Sequence, residues 1–145
     1  MMRILYEAGC RKIQFGMESA DNEILKKLKK NVTIEQIENA VKNAYKYDMH
    51  IQVSYIIGHA FDTEASIEKT IRFAKYLKEK YGVRTVCSVN TPFPGTEQYN
   101  NREELGIKIR ETEWDKYIFS NPIISTDHLN IEQLRKYLAE GMGLI

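Results

Sequence analysis

Lys12-Ile13-Gln14-Phe15-Gly16-Met17-Glu18-Ser19 is the stretch whose reading decides the fold. Ile13, Phe15 and Met17 alternate with Gln14, Gly16 and Glu18, the side-chain period of a strand with one apolar and one polar face. An acid closes the strand, and the C-terminal ends of strands are where α/β proteins place their chemistry. Taken alone, the segment reads equally well as an antiparallel strand with a solvated face. Its recurrence further along the chain tips the reading.

Outward toward the C-terminus, His50 to Gly58 repeats the pattern, with Ile51, Val53, Tyr55 and Ile57 opposite Gln52, Ser54, Ile56 and Gly58. Val83 to Asn90 gives it a third time, Val83, Thr85, Cys87 and Val89 facing away from Arg84, Val86, Ser88 and Asn90. Between these strands the spacing predicts helices. Asp21 caps a short one with Ile24, Leu25 and Leu28 inward and Asn31 at its end. Thr33 and Gln36 make a capping box for another that carries Ile34, Ile37, Val41 and Ala44 to about Tyr47. A third runs from Thr63 or Glu64 to Tyr81, with Ile67, Ile71, Ala74 and Leu77 on its stripe and Gly82 beyond its end.

Strands alternating with amphipathic helices of this length imply right-handed crossovers and a parallel sheet. Parallel strands covered on both faces read as continuous apolar runs, whereas each of these keeps a second side of Gln, Ser, Gly, Glu and Asn. That side must face water, a ligand or another chain. The fold class expected is therefore α/β, a partial (β/α) barrel of about three parallel strands whose polar lumen holds something.

Toward the N-terminus, Met1 to Ala8 reads as a helix stopped by Gly9. It starts at the first residue without a cap, which leads to the expectation that the chain begins partway through a larger architecture. Past the third strand, Asn90-Thr91-Pro92-Phe93-Pro94-Gly95-Thr96 fixes a rigid turn. Glu97 to Leu105 reads as a helix with Gly106 as its stop, and Ile107 to Ile109 as a short extended piece. Glu113 to Asp127, with Trp114, Tyr117 and Phe119, reads as an ordered loop over an opening. Asn130 then caps a last helix, with Gln133 in the capping-box position and Ile131, Leu134 and Leu138 inward. Residues 1–145 are expected to form one domain, with barrel-wall units over 1–110 and the aromatic loop and last helix over 111–145.

Composition closes off several function classes. With 145 residues, 21 Lys and Arg against 20 Asp and Glu, and a net charge of +1, the chain has no bulk electrostatic footprint for nucleic acid. The basic run Lys26, Lys27, Lys29, Lys30 reads as a solvated helix face. No apolar run approaches the ~20 residues that span a bilayer, so a soluble cytoplasmic protein without a membrane partner is expected. Cys10 and Cys87, the only two cysteines, lie far apart and read as small buried apolar residues. His50, His59 and His128 show no metal-binding spacing and read as structural or surface groups.

The motifs G-C-R-K-I-Q-F-G-M-E-S, Y-I-I-G and T-P-F-P-G-T, in this order and at these separations, resemble the second half of a radical S-adenosylmethionine (radical SAM) domain, closest to its methylthiotransferase and cobalamin-binding branch. The resemblance covers about residues 1–110, and more loosely the W-D-K-Y segment and the last helix. It implies that Glu18, with Ser19 beside it, belongs to a polar set near the ribose and amino-acid part of the cofactor. It implies too that Gly58, preceded by Ile56 and Ile57, lets the backbone approach the adenine, and that Asn90, Thr91 and Pro92 lie alongside. Physical chemistry agrees independently that a strand-end carboxylate accepts from hydroxyls and that a glycine permits close approach.

The sequence departs from that pattern in two respects. After Gly58 the family has a small turn containing Pro and Gly, whereas here His59-Ala60-Phe61-Asp62-Thr63-Glu64 brings bulk that narrows the adenine site. The three-cysteine loop and the Gly-Gly-Glu strand are missing, so S-adenosylmethionine is the implied cofactor and a [4Fe–4S] cluster only if a missing N-terminal part supplies it. Two functions stay open. One is the C-terminal portion of a radical SAM Fe–S enzyme, inactive as an isolated chain and with no catalytic residue of its own. The other is a non-catalytic half-barrel binding a nucleotide-like ligand or a protein. An upstream C-x-x-x-C-x-x-C would favour the first. The expected partner is the missing N-terminal barrel part, or a second copy through the open edge at Lys12–Met17.

Overall fold

The computed structural model describes residues 1–143. After helix α1 (Met2–Glu7), which Gly9 ends at φ 95°, the chain enters strand β1 (Lys12–Glu18). Helix α2 (Asn22–Lys27) follows, its first turn held by Asp21, whose carboxylate accepts from the backbone N–H groups of Glu23 and Ile24. Helix α3 (Ile34–Tyr45) has the capping box read from Thr33 and Gln36, with both hydrogen bonds made. Then come strand β2 (His50–Ile57), helix α4 (Glu64–Tyr81) and strand β3 (Arg84–Val89). Gly82 ends α4 in the left-handed region, the conformation that a glycine adopts without a Cβ penalty.

The three strands form one parallel sheet in the order β1-β2-β3. The predicted alternation is visible in its burial. Ile51, Val53, Tyr55 and Ile57 of β2 and Thr85, Cys87 and Val89 of β3 are buried, while Gln52, Ser54 and Ser88 on the other side stay half-exposed. Ile37 and Val41 of α3 and Ile67, Ile71, Ala74 and Leu77 of α4 share one core with the buried strand residues. The architecture is α/β, three parallel strands flanked by helices, and compatible with part of a (β/α) barrel.

The structure corrects the reading beyond β3. Helix α5 spans only Glu97–Asn100, and residues 101–106 make turns instead of continuing to Leu105. Asn100 and Asn101 fall in the middle of that run, and their side chains compete with the helical backbone. Strand β4 (Lys108–Ile109) pairs antiparallel with strand β5 (Ile124–Ser125), so the segment read as a loop from Glu113 to Asp127 contains a strand as well as a 3₁₀ turn over Trp114–Lys116. Two residues per strand leave no period to read. In the aromatic part Trp114 is 67% and Phe119 62% exposed, while Tyr117 packs against the core and the Phe119 carbonyl accepts from the Val89 backbone N–H at 2.8 Å. Helix α6 (Ile131–Met142) is capped by Asn130 and Gln133 as expected, and packs on β3 and β2. It buries Tyr137 with Leu134 and Leu138, while Ile131 stays half-exposed.

Two smaller corrections concern the N-terminal half. Helix α2 ends at Lys27, not Asn31, because Lys29 turns the chain at φ 57°. Cys87 is buried, but Cys10 is half-buried and its thiol donates to the Lys12 carbonyl at 3.3 Å.

Candidate functional site

The C-terminal ends of three parallel strands lie at one end of the sheet, and the backbone there is irregular. Glu18 sits at φ 63°, and the pairing of β1 with β2 slips between Gly16 and Glu18, a bulge that re-aims the last side chain of the strand. Non-glycine residues rarely hold this conformation without compensation. Here an ion pair accompanies it. The Lys30 ammonium donates to Glu18 Oε1 at 2.9 Å, with both side chains mostly shielded from water.

Gly16 makes room for this pair. A Cβ at Gly16 would lie 2.7 Å from Glu18 Oε1 and 3.2 Å from Lys30 Nζ, so any larger residue displaces one of them. Lys30 was not among the residues that the sequence motifs picked out. Read within a basic run it belongs to a solvated face, yet Lys29 turns the chain past the end of α2 and sends Lys30 back to the strand end. Lys29 itself bridges to Glu97 of α5 at 2.9 Å. No sequence signal separates these two from Lys26, because the separation depends on where the helix stops.

The remaining expected site residues divide into two groups. Asn90 follows β3 and is buried, its carboxamide donating to the Gly58 carbonyl at 3.1 Å and its backbone N–H to the Ile57 carbonyl at 2.8 Å. Ile56 is half-exposed, Thr91 half-buried with its hydroxyl on the Val89 carbonyl, and Pro92 buried. Ser19 and Ile57 belong to the packed side. Ser19 is 1% exposed and shares a hydrogen bond with Thr70 of α4 at 3.3 Å, and Ile57 is buried in the core. Gly58 holds φ 80°, and the place of its missing side chain is already filled, with Leu134 Cδ2 of α6 3.0 Å from an ideal Cβ. On that side of Gly58, helix α6 makes a close approach.

The turn after Gly58 carries its own polar order. Asp62, 2% exposed, accepts from the His59 backbone N–H at 2.9 Å and from the Ser66 hydroxyl at 2.8 Å. Burial pushes its carboxyl up to about 6, against the pull of these hydrogen bonds. His59, 6% exposed, is pushed down to about 4, again by burial, with the Glu18 charge opposing. Its Nε2 is sealed from solvent without a hydrogen-bond partner, alone in this among the described residues. His50 and His128 are exposed, as expected for surface groups.

Beside this turn lies a cleft of about 500 Å³ between α2, the turn and α5. Leu28, Ala60, Phe61 and Leu105 supply apolar lining, His59 and Asn90 neutral polar groups, and Lys29 and Glu97 stand among its walls. The Lys27 ammonium lies 5.0 Å from the centre of the Phe61 ring. Metal-binding chemistry is not assembled. Among the described residues no three His, Cys, Asp or Glu side chains converge, and Cys10 precedes β1 while Cys87 lies inside β3 beneath α6. These residues do not fit an iron–sulfur cluster. The polar strand end does fit a ligand with hydroxyl and amine donors, since it offers a held carboxylate and an orphaned imidazole.

Comparison with known proteins adds the following. The profile described as the radical SAM superfamily matches residues 1–74. The chain is 36% identical over 141 residues to an uncharacterized methyltransferase of Pyrococcus horikoshii, covering 96% of this chain and 29% of the relative. It is 33% identical over 111 residues to bacteriochlorophyllide d C-12(1)-methyltransferase of Chlorobaculum tepidum, covering 76% of this chain and 23% of the relative. It is 29% identical over 117 residues to tRNA-2-methylthio-N(6)-dimethylallyladenosine synthase of Acinetobacter baylyi, covering 79% of this chain and 24% of the relative. The chain thus spans less than a third of the length of these relatives.

Proposed function

The chain belongs to the radical SAM superfamily, and from that premise we propose that it forms part of the S-adenosylmethionine-binding wall of such an enzyme, without holding the [4Fe–4S] cluster by itself. S-adenosylmethionine joined to a cluster supplies the radical chemistry that the superfamily is named for. The residues of this chain bind and orient. The observation that carries the reading is the Glu18–Lys30 pair over Gly16 at the strand ends, where a carboxylate held in one place accepts hydrogen bonds from the cofactor's hydroxyls. Ile56, Asn90, Thr91 and Pro92 stand at the same end, while Ser19, Ile57 and Gly58 support the site from the packed side.

Removing the carboxylate in Glu18→Ala should weaken S-adenosylmethionine binding by on the order of 1–3 kcal/mol. Gly16→Ala should do so too while leaving the chain folded, because its Cβ displaces the pair and not the core. Calorimetry on the three proteins is the measurement. Equal affinities would mean that Glu18 is a solvated strand end and would remove the main support for the proposal.

The methyltransferase names of two relatives and the methylthio-adenosine synthase name of the third support a group-transfer enzyme as the whole protein. Within it, the cluster would come from another part of the assembly. Among the described residues β1 pairs only with β2, and this open edge is the place where a preceding strand of a barrel would add. The proposed partner is that strand, or a second copy of the chain in its stead. Light scattering across low to tens of micromolar should show association that grows with concentration. A strict monomer throughout would withdraw the partner proposal and leave the binding proposal intact.

A further inference from the structure

Helices α3 and α4 carry more apolar surface than they lay on the sheet. Helix α4 buries Ile67, Ile71, Ala74 and Leu77, and a second strip, Phe73 and Tyr76 at i and i+3, lies beside that stripe. The two rings stand 5.7 Å apart between centres and are half-buried, as is Ile34 at the start of α3. Together with Ala20 they floor a groove of about 470 Å³ between the two helices. Charge divides its walls. Glu35 and Glu38 line it from α3, whereas Lys69 and Arg72 line it from α4. Within the chain Glu38 accepts from the Tyr76 hydroxyl, Lys69 bridges to Asp21 at 2.9 Å and Arg72 stands 3.7 Å from Glu68. Glu35 is exposed and so is Arg72, whose five N–H donors exceed what one carboxylate at that distance engages.

We infer that this groove is the contact face between two copies of the chain, with α3 of one copy lying on α4 of the other about a two-fold axis that runs along the groove. This face is separate from the strand ends and from the open edge of β1. The divided charge selects the occupant. A partner with one sign of charge along its flanks meets a like charge on one of the two walls, whereas a second copy presents the opposite division. Both helices return between parallel strands, so they run side by side in one direction and give the groove a single axis. Rotation about that axis exchanges left with right and keeps every residue at its own height. The acidic wall of each copy therefore meets the basic wall of the other, and each such contact occurs twice. Between the walls the floors of Ile34, Phe73 and Tyr76 face one another, an aromatic centre inside a charged rim.

The test is charge reversal with complementation on the full chain, read by sedimentation equilibrium and native mass spectrometry. The unmodified chain should dimerise at high micromolar concentration. Glu35→Arg and Arg72→Glu change exposed side chains, so each should leave the Tm nearly unchanged. Each should weaken self-association by about tenfold or more, because one reversal sets like charges against each other twice in a symmetric interface. Mixed in equal amounts, the two variants should form a heterodimer about as strong as the unmodified dimer, since every reversed wall then meets an opposite one. Their masses differ, so the mixed species is counted directly, and a loss caused by misfolding would not be repaired by mixing. Variants that associate as the unmodified chain does would overturn the inference and place the association elsewhere, as at the β1 edge. Two weakened variants that form no heterodimer would also overturn it. An unmodified chain that stays monomeric would overturn it too, leaving the groove to a segment of a different protein. Binding of S-adenosylmethionine is read separately, so each of these results leaves the proposed function standing.

Discussion

Leu134→Ala is expected to cost the fold about 3–5 kcal/mol, a large share of the roughly 5–15 kcal/mol that holds a domain of this size together. Leu134 is 0% exposed, and its methyl groups occupy the space left by the absent side chain of Gly58. Truncation removes the burial of three carbons and opens a void between α6 and the strand ends, which the turn after β2, held by Asp62 and Asn90, cannot fill by collapsing. Gly58→Ala alone should also destabilise, through φ 80° and through a Cβ only 3.0 Å from Leu134 Cδ2. In the double variant the steric part of that penalty disappears. Urea unfolding of all four proteins should therefore give a coupling of about 1 kcal/mol, with the double variant less damaged than the sum of the singles. A loss below about 1 kcal/mol for Leu134→Ala would mean that α6 is not docked on the sheet as described.

The second large effect is a pair of opposed titrations hidden in one turn. Asp62 releases its proton at about 6 in the folded chain and at the ordinary 3.8 when unfolded. Between those values the folded chain holds a proton that the unfolded chain has lost, so this group's contribution to stability falls as pH rises from about 4 to 6. His59 titrates at about 4 folded and at 6.5 unfolded. There the unfolded chain holds the extra proton, so its contribution rises with pH over nearly the same window. Each swing is on the order of 3 kcal/mol, and in the unmodified chain they largely cancel. Asp62→Asn should unmask the histidine and make stability climb steeply from pH 4 to 6.5. His59→Leu should unmask the aspartate and tilt the curve the other way. Other carboxylates, such as Asp21 beside Lys69, add a slope common to all three proteins, so the differences between curves are the readout. Three parallel curves would show that neither group is buried in the way described.

The sequence by itself determined those features that repeat or that touch their chain neighbours. The period of two at Ile13, Phe15 and Met17, again at Ile51 to Ile57, and again at Thr85 to Val89 wrote a parallel sheet with one covered face. Caps were equally legible. Thr33 with Gln36, Asn130 with Gln133 and Gly82 act through hydrogen bonds and dihedrals within a few residues, so local residue types suffice to announce them. The positions of Glu18 at the end of β1 and Asn90 just after β3 were legible too, because a strand end is a position in the pattern.

The tertiary structure decided whatever depends on where a chain segment stops and what then meets it. The early end of α2 carries Lys30 to Glu18, and nothing in a run of four lysines distinguishes that one. That Leu134 of α6, far along the chain, fills the space beside Gly58 is another such contact. Ser19 next to Glu18 went to Thr70, because a bulge and a change of backbone hand send adjacent side chains to opposite sides. The strand at Ile124–Ser125 exists only through its partner at Lys108–Ile109. His59 shares a sequence with two other histidines and no motif, and only burial without a hydrogen-bond partner sets it apart. Each of these rests on a contact between segments distant in the chain, and a one-dimensional pattern carries periodicity and neighbour chemistry but not the packing that brings such segments together.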